Sequence, residues 1–208
     1  MNKKDNKKIQ ILYIHGGNTF KSKKDYLDYL KNKEVSLENP EVWSGTYLEK
    51  SLKNNFEIIK PRMPLKENAK YEEWKIIFEK YLKQLRNNLV LIGVSLGGIF
   101  LAKYLSENKI NRKIKAVYLI APPYNNDLPG EDLTGGFKLK SDLSLIYKNC
   151  SKTRFLFSSD DPVVPLSQKD KYLKKVKEEY VYVIKDAVGH FRCEKFPELI
   201  KMIKKDCL

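Results

Sequence analysis

Leu89-Val90-Leu91-Ile92-Gly93-Val94-Ser95-Leu96-Gly97-Gly98-Ile99-Phe100 opens as an unbroken apolar run, turns through three glycines and a serine, and resumes in apolar residues. A short, continuously apolar run of this kind predicts a strand buried on both faces, as in a parallel sheet. The pattern G-x-S-x-G between a strand and a helix marks a sharp turn that lifts a serine hydroxyl above the sheet. Glycines suit the flanks because the backbone there is strained and larger side chains would clash. The same turn aims the N–H of Leu96, at the positive end of the following helix, toward a reacting carbonyl. The plain alternative is a glycine-rich turn whose serine caps the helix.

Working outward, five further apolar runs alternate with amphipathic segments, which is the signature of a parallel sheet covered by helices. The six expected strands cover residues 9–14, 56–59, 89–94, 116–120, 155–157 with their flanks, and 180–184. Residues 71–86 carry Trp74, Ile77, Phe78, Tyr81, Leu82 and Leu85 at three- and four-residue spacings, so they predict a helix with one apolar stripe. Segments 95–107, 166–177 and 194–205 read similarly, and 23–33 and 41–54 give weaker helical patterns interrupted by Asn39-Pro40 and Gly45. The longest irregular stretch is 122–140. In this architecture chemistry collects at the carboxyl ends of the strands.

A serine needs a base to act as a nucleophile at neutral pH. Of the two histidines, His190 in Asp186-Ala187-Val188-Gly189-His190-Phe191 follows the last strand and is placed to meet Ser95. An imidazole that collects a proton needs a carboxylate to fix its tautomer. Asp161, in Ser158-Ser159-Asp160-Asp161-Pro162-Val163-Val164-Pro165, follows the fifth strand, with Asp160 as its competitor. The order serine, acid, histidine is that of the α/β-hydrolases. The first strand ends in His15-Gly16-Gly17-Asn18, where Gly17 N–H offers a second oxyanion donor beside Leu96, Asn18 being the other option. His15 is expected to brace this loop. Tyr124, Leu128, Leu133 and Phe137 are candidates for an acyl pocket, with a surface loop anchored by apolar residues as the alternative; Asn18, Tyr124 and Phe137 are the substrate-binding candidates.

The 208 residues suit one domain, with residues 1–8 as a flexible tail, and 42% hydrophobic content provides a core. A net charge of +14 raises the question of polyanions, but the lysines are scattered over expected helix faces, so nucleic acid is disfavoured. Cys150, Cys193 and Cys207 are widely spaced, which suggests neither a disulfide framework nor a zinc site, and a reducing cytoplasm is the simpler setting. No signal peptide or membrane span is expected. Neither metal nor cofactor is required, because the three residues supply nucleophile and base.

The segments Gly93-Val94-Ser95-Leu96-Gly97-Gly98, Ser159 through Pro165 and Gly189-His190-Phe191 resemble the compact serine hydrolases that include the retinoblastoma-binding serine hydrolase and its bacterial relatives. The first motif is common to all α/β-hydrolases; the double aspartate before proline and the Gly-His-Phe ending are more specific. The resemblance runs from Ile9 onward. It implies an α/β-hydrolase fold, a three-layer sandwich with a mostly parallel sheet of about six strands and no large cap domain, and it transfers Ser95, Asp161 and His190 as a triad. The resemblance says little about substrate; the serine, base and acid together point to acyl transfer to water, and with no large lid visible the expectation is a carboxylesterase-like enzyme acting on small esters, with thioesters and amides as alternatives. A monomer or weak dimer is expected, and a protein partner is compatible with the reading. Residues 21–53 are the least family-like part and would alter access to Ser95 if folded over it. The rival reading is a binding or scaffold protein on a hydrolase fold, and fold alone does not choose between them.

Overall fold

The computed structural model describes residues 7–38, 41–185 and 189–208. Residues 1–6 of the expected tail, the Asn39-Pro40 break and Asp186 to Val188 ahead of His190 lie outside the described residues. Six strands, β1 (Ile9–Ile14), β2 (Phe56–Ile59), β3 (Leu89–Val94), β4 (Ile114–Ile120), β5 (Thr153–Ser158) and β6 (Val181–Ile184), form one sheet in the order β2-β1-β3-β4-β5-β6. Every pairing is parallel. The helices are α1 (Lys23–Asn32), α2 (Thr46–Leu52), α3 (Tyr71–Gln84), α4 (Leu96–Glu107), α5 (Leu145–Asn149), α6 (Leu166–Leu173) and α7 (Pro197–Cys207).

Central β3 and β4 are buried along nearly their whole length, which accounts for their uninterrupted apolar sequences. Successive side chains on a strand point to opposite faces. Tyr118 of β4 and Arg154 of β5 are register partners, and both bond to Asp206 of α7 at 2.6 Å. Phe155 and Phe157 face the other way and pack on Tyr172 of α6, with ring centroids 4.8 and 6.0 Å away. On that second face α3 meets α4 through Phe78 and Phe100, 5.3 Å apart. Helices α2 and α7 cover the first face and pack against each other. The result is the expected three-layer arrangement.

Local chemistry explains where the helices depart from the periodicity. Helix α7 starts at Pro197 rather than at residue 194, because the residue before a proline is kept out of helical conformation, and Phe196 has φ −135°. Helix α2 starts only at Thr46, because the chain first turns around Trp43 and Gly45. Helix α6 stops at Leu173, and Tyr180, expected in a strand, closes a short 3₁₀ turn instead. Among the described residues, no helix is long and apolar enough to cross a membrane.

The chain leaves β1 for β2 on one side and then crosses to β3 on the other. The carboxyl ends of β1 and β3 therefore border the crevice where ligands collect in such sheets. Ile14 and Gly93 are register partners there, which brings the residues that follow each of them side by side.

Candidate active site

Ser95 stands between β3 and α4 with φ 53° and ψ −118°, a conformation that costs a non-glycine residue about 1–3 kcal/mol. The turn is held by its own backbone: Ser95 N–H donates to Ile120 C=O at 2.8 Å, and Ser95 C=O accepts from Gly98 N–H at 2.8 Å. The two glycines of the motif are required by close backbone approach. A Cβ at Gly97 would lie 2.6 Å from the carbonyl oxygen of His15 and nearer still to that of Ile14. A Cβ at Gly93 would meet the backbone of Gly97 and, at 2.9 Å, Leu101.

Asp161 is buried, and its Oδ1 accepts N–H bonds from Val163 at 2.8 Å and Val164 at 2.9 Å. Its Oδ2 faces His190 Nδ1 at 2.7 Å. Asp160 points elsewhere: it accepts from Ser158 Oγ and from Gly189 N–H, the latter at 3.1 Å, and so braces the loop that carries His190. Of the two aspartates, the structure brings Asp161 to the imidazole. Ser95 and His190 line the same cavity of about 290 Å³, together with Gly16, Gly17 and Asn18. No direct hydrogen bond joins Ser95 to His190 among the described residues.

His15 Nε2 accepts from Met63 N–H at 2.9 Å, which puts the proton on Nδ1, 2.6 Å from Gly16 C=O. Burial lowers the pKa of this imidazole below its ordinary 6.5 and keeps it neutral. Because C=O and N–H of a trans peptide point in opposite directions, the Gly16 carbonyl turned toward His15 directs Gly17 N–H away from it. Asn18 N–H is already donated to Lys66 C=O at 2.8 Å. Gly17 N–H and Leu96 N–H, by contrast, donate to no other protein group among the described residues. Gly17 is fixed in place, since a Cβ there would lie 2.5 Å from Lys66 C=O and 3.3 Å from the Leu96 side chain.

The sequence model of a family described as serine hydrolase matches residues 38–199. The chain belongs to the serine hydrolase family. No curated protein matches the sequence of this serine hydrolase. Its fold is similar to that of the ydeN gene product from B. subtilis, at 18% identity and TM-score 0.71 over 95% of this chain and 97% of that one. A YdeN-like hydrolase from Pectobacterium atrosepticum matches at 15% identity and TM-score 0.63 over 96% and 91%. A monoacylglycerol lipase from Paleococcus ferrophilus matches at 14% identity and TM-score 0.56 over 94% and 92%.

Not every expected residue reaches the cavity of this hydrolase. Phe137 is fully buried and edge-on to Tyr71 and Trp74, so it fills the core instead of lining a substrate pocket. Tyr124 packs edge-on against Tyr172 at 5.0 Å, and its N–H is held by Gln168. Neither lines the Ser95 cavity, because the apolar residues of this loop are anchors to the body beneath it. Asn18 does line it, and its side chain lies 3.5 Å from the Glu131 carboxylate. Val42, Trp43 and Ser44 of the 21–53 segment form a wall that the motifs did not reveal. Lys66, Arg192 and half-buried Glu131 make the remaining wall polar, and burial raises the pKa of Glu131 despite the opposing influence of His190 and Asn18.

Proposed function

We propose that this hydrolase cleaves small carboxylic esters, with thioesters and amides as further acyl donors, through an acyl-enzyme on Ser95. The observation that carries this reading is the 2.7 Å contact of Asp161 with His190 Nδ1 at the cavity that also holds Ser95 on its strained turn. With Nδ1–H donated to Asp161, Nε2 is left unprotonated as the base.

In the first half-reaction His190 Nε2 takes the Ser95 proton while Oγ bonds to the ester carbonyl carbon. The carbonyl oxygen becomes an oxyanion that accepts from Gly17 N–H and Leu96 N–H. Collapse breaks the bond to the leaving alcohol, which receives the proton from His190. Water then adds to the acyl-enzyme by the same route, releasing the acid and restoring Ser95. The cavity of about 290 Å³ favours short acyl groups.

A fluorophosphonate probe tests the nucleophile. The wild-type protein should be labelled and Ser95→Ala should not; label persisting on the variant removes Ser95 from this role. Across p-nitrophenyl esters, kcat/KM should fall as the acyl chain lengthens, and a preference for long chains contradicts the small-substrate reading. No turnover on an ester, thioester and amide panel, with a bound partner captured instead, would favour the scaffold reading.

A further inference from the structure

We propose that Trp43 is a positioning residue for the Ser95 reaction, fixing the backbone that carries His190; the catalytic part of this inference rests on the function proposed above. His190 sits between two residues in the left-handed region, Gly189 at φ 58° and Phe191 at φ 51°. Glycine adopts that conformation readily, whereas phenylalanine does not and must be held there. On the glycine side the hold comes from Asp160. On the phenylalanine side it comes from Trp43: the indole Nε1–H donates to Phe191 C=O at 2.9 Å, in a buried bond, and the Trp43 backbone N–H donates to Cys193 C=O at 2.9 Å.

Trp43 is itself anchored. Its carbonyl accepts from Leu48 N–H of α2 at 2.9 Å, and its ring, 2% exposed, lies edge-on to Tyr13 of β1 at 6.1 Å and to Phe196 at 5.5 Å. The indole therefore ties the histidine loop to the first strand and to α2. Without its N–H, the Phe191 carbonyl loses a buried partner, and an unpaired buried carbonyl is unfavourable. Relaxation of Phe191 toward negative φ would turn the preceding peptide and swing His190 away from Asp161 and Ser95.

The test removes the indole N–H while keeping an aromatic ring. Trp43→Phe does this with some loss of volume; replacing Trp43 with 3-benzothienylalanine does it with nearly the same shape. Both retain the backbone bond to Cys193. The expected result is a loss of about tenfold in kcat and in fluorophosphonate labelling rate, with KM changed less than twofold. The proton NMR signal of His190 Nδ1–H should also shift or broaden in both variants. Wild-type kcat and labelling together with an unmoved Nδ1–H signal, whatever happens to the melting temperature, would make Trp43 only a core residue and overturn the proposal. The NMR arm separates the two readings: a wild-type protein that neither labels nor turns over esters overturns the hydrolytic mechanism, whereas a signal indifferent to the loss of the indole N–H overturns the positioning role.

Discussion

The Gly93 to Gly97 turn and the 21–53 segment both border the Ser95 cavity, but they are held in opposite ways. The turn is enclosed by main-chain atoms of β1, β4 and its own helix, so almost no side chain could be added to it. Helix α4 behind it has nine of its 12 residues buried. In the 21–53 segment α1 has no buried residue, and contact with the site comes through Val42, Trp43 and Ser44. The difference separates two tasks: the turn fixes the reacting hydroxyl, and the segment shapes its surroundings from a few anchor points.

The most severe way to break this contrast is Gly97→Ala, whose methyl group would enter two backbone carbonyls of the β1 end. A loss of about 3 kcal/mol or more is expected, read by urea unfolding together with loss of probe labelling; a stable, labelled variant would show that the turn is not rigid. Asp160→Asn comes next. Weakening the acceptor for Gly189 N–H should slow labelling by roughly tenfold while leaving the Asp161 contact in place, and an unchanged rate would leave the histidine loop held from the Trp43 side alone.

His15 sharpens the comparison through pH. Its pKa is lowered in the folded protein, so below pH 6.5 the unfolded chain binds more protons than the folded one. The stability it contributes is thus complete above pH 6.5 and declines as pH falls toward the lowered folded value. Urea titrations should show that slope in the wild type and a shallower one in His15→Gln; equal slopes would mean that His15 is not held neutral. The smallest effect belongs to α1, where Leu27→Ser with Leu30→Ser should change stability by no more than about 0.5 kcal/mol and leave labelling unchanged. A larger loss would show that this helix face is covered.

Those differences also mark what could be read from the chain alone. Strands β1, β2 and β3 match their runs residue for residue; for β1 and β3 burial on both faces leaves little ambiguity in composition, whereas β2 lies at the sheet edge with only Phe56 buried. Ser95 is legible because the glycines its turn demands, Gly93 and Gly97, stand two positions to either side of it. Asp161 is the sequence's choice, with Asp160 as its competitor; both lie in one loop, and the path of the histidine loop decides which carboxylate meets the imidazole. Phe137 and Tyr124 misled for a different reason: apolar character says that a side chain will be covered, not by what. Trp43 left no local signal at all, because its partners are main-chain carbonyls that any residue would provide. Helix α5, only five residues long, is too short for periodicity to register.

The bond between Trp43 and Phe191 spans 148 positions of chain. At a ribosomal pace of about 5–20 residues per second, the indole is made roughly 7–30 s before the carbonyl it will hold. The nucleophile turn is made only part-way through that interval, and the base, His190, is made at its very end. A nascent chain therefore passes through a period in which an aromatic side chain destined for the interior has no seat, and in which no premature acyl chemistry can begin.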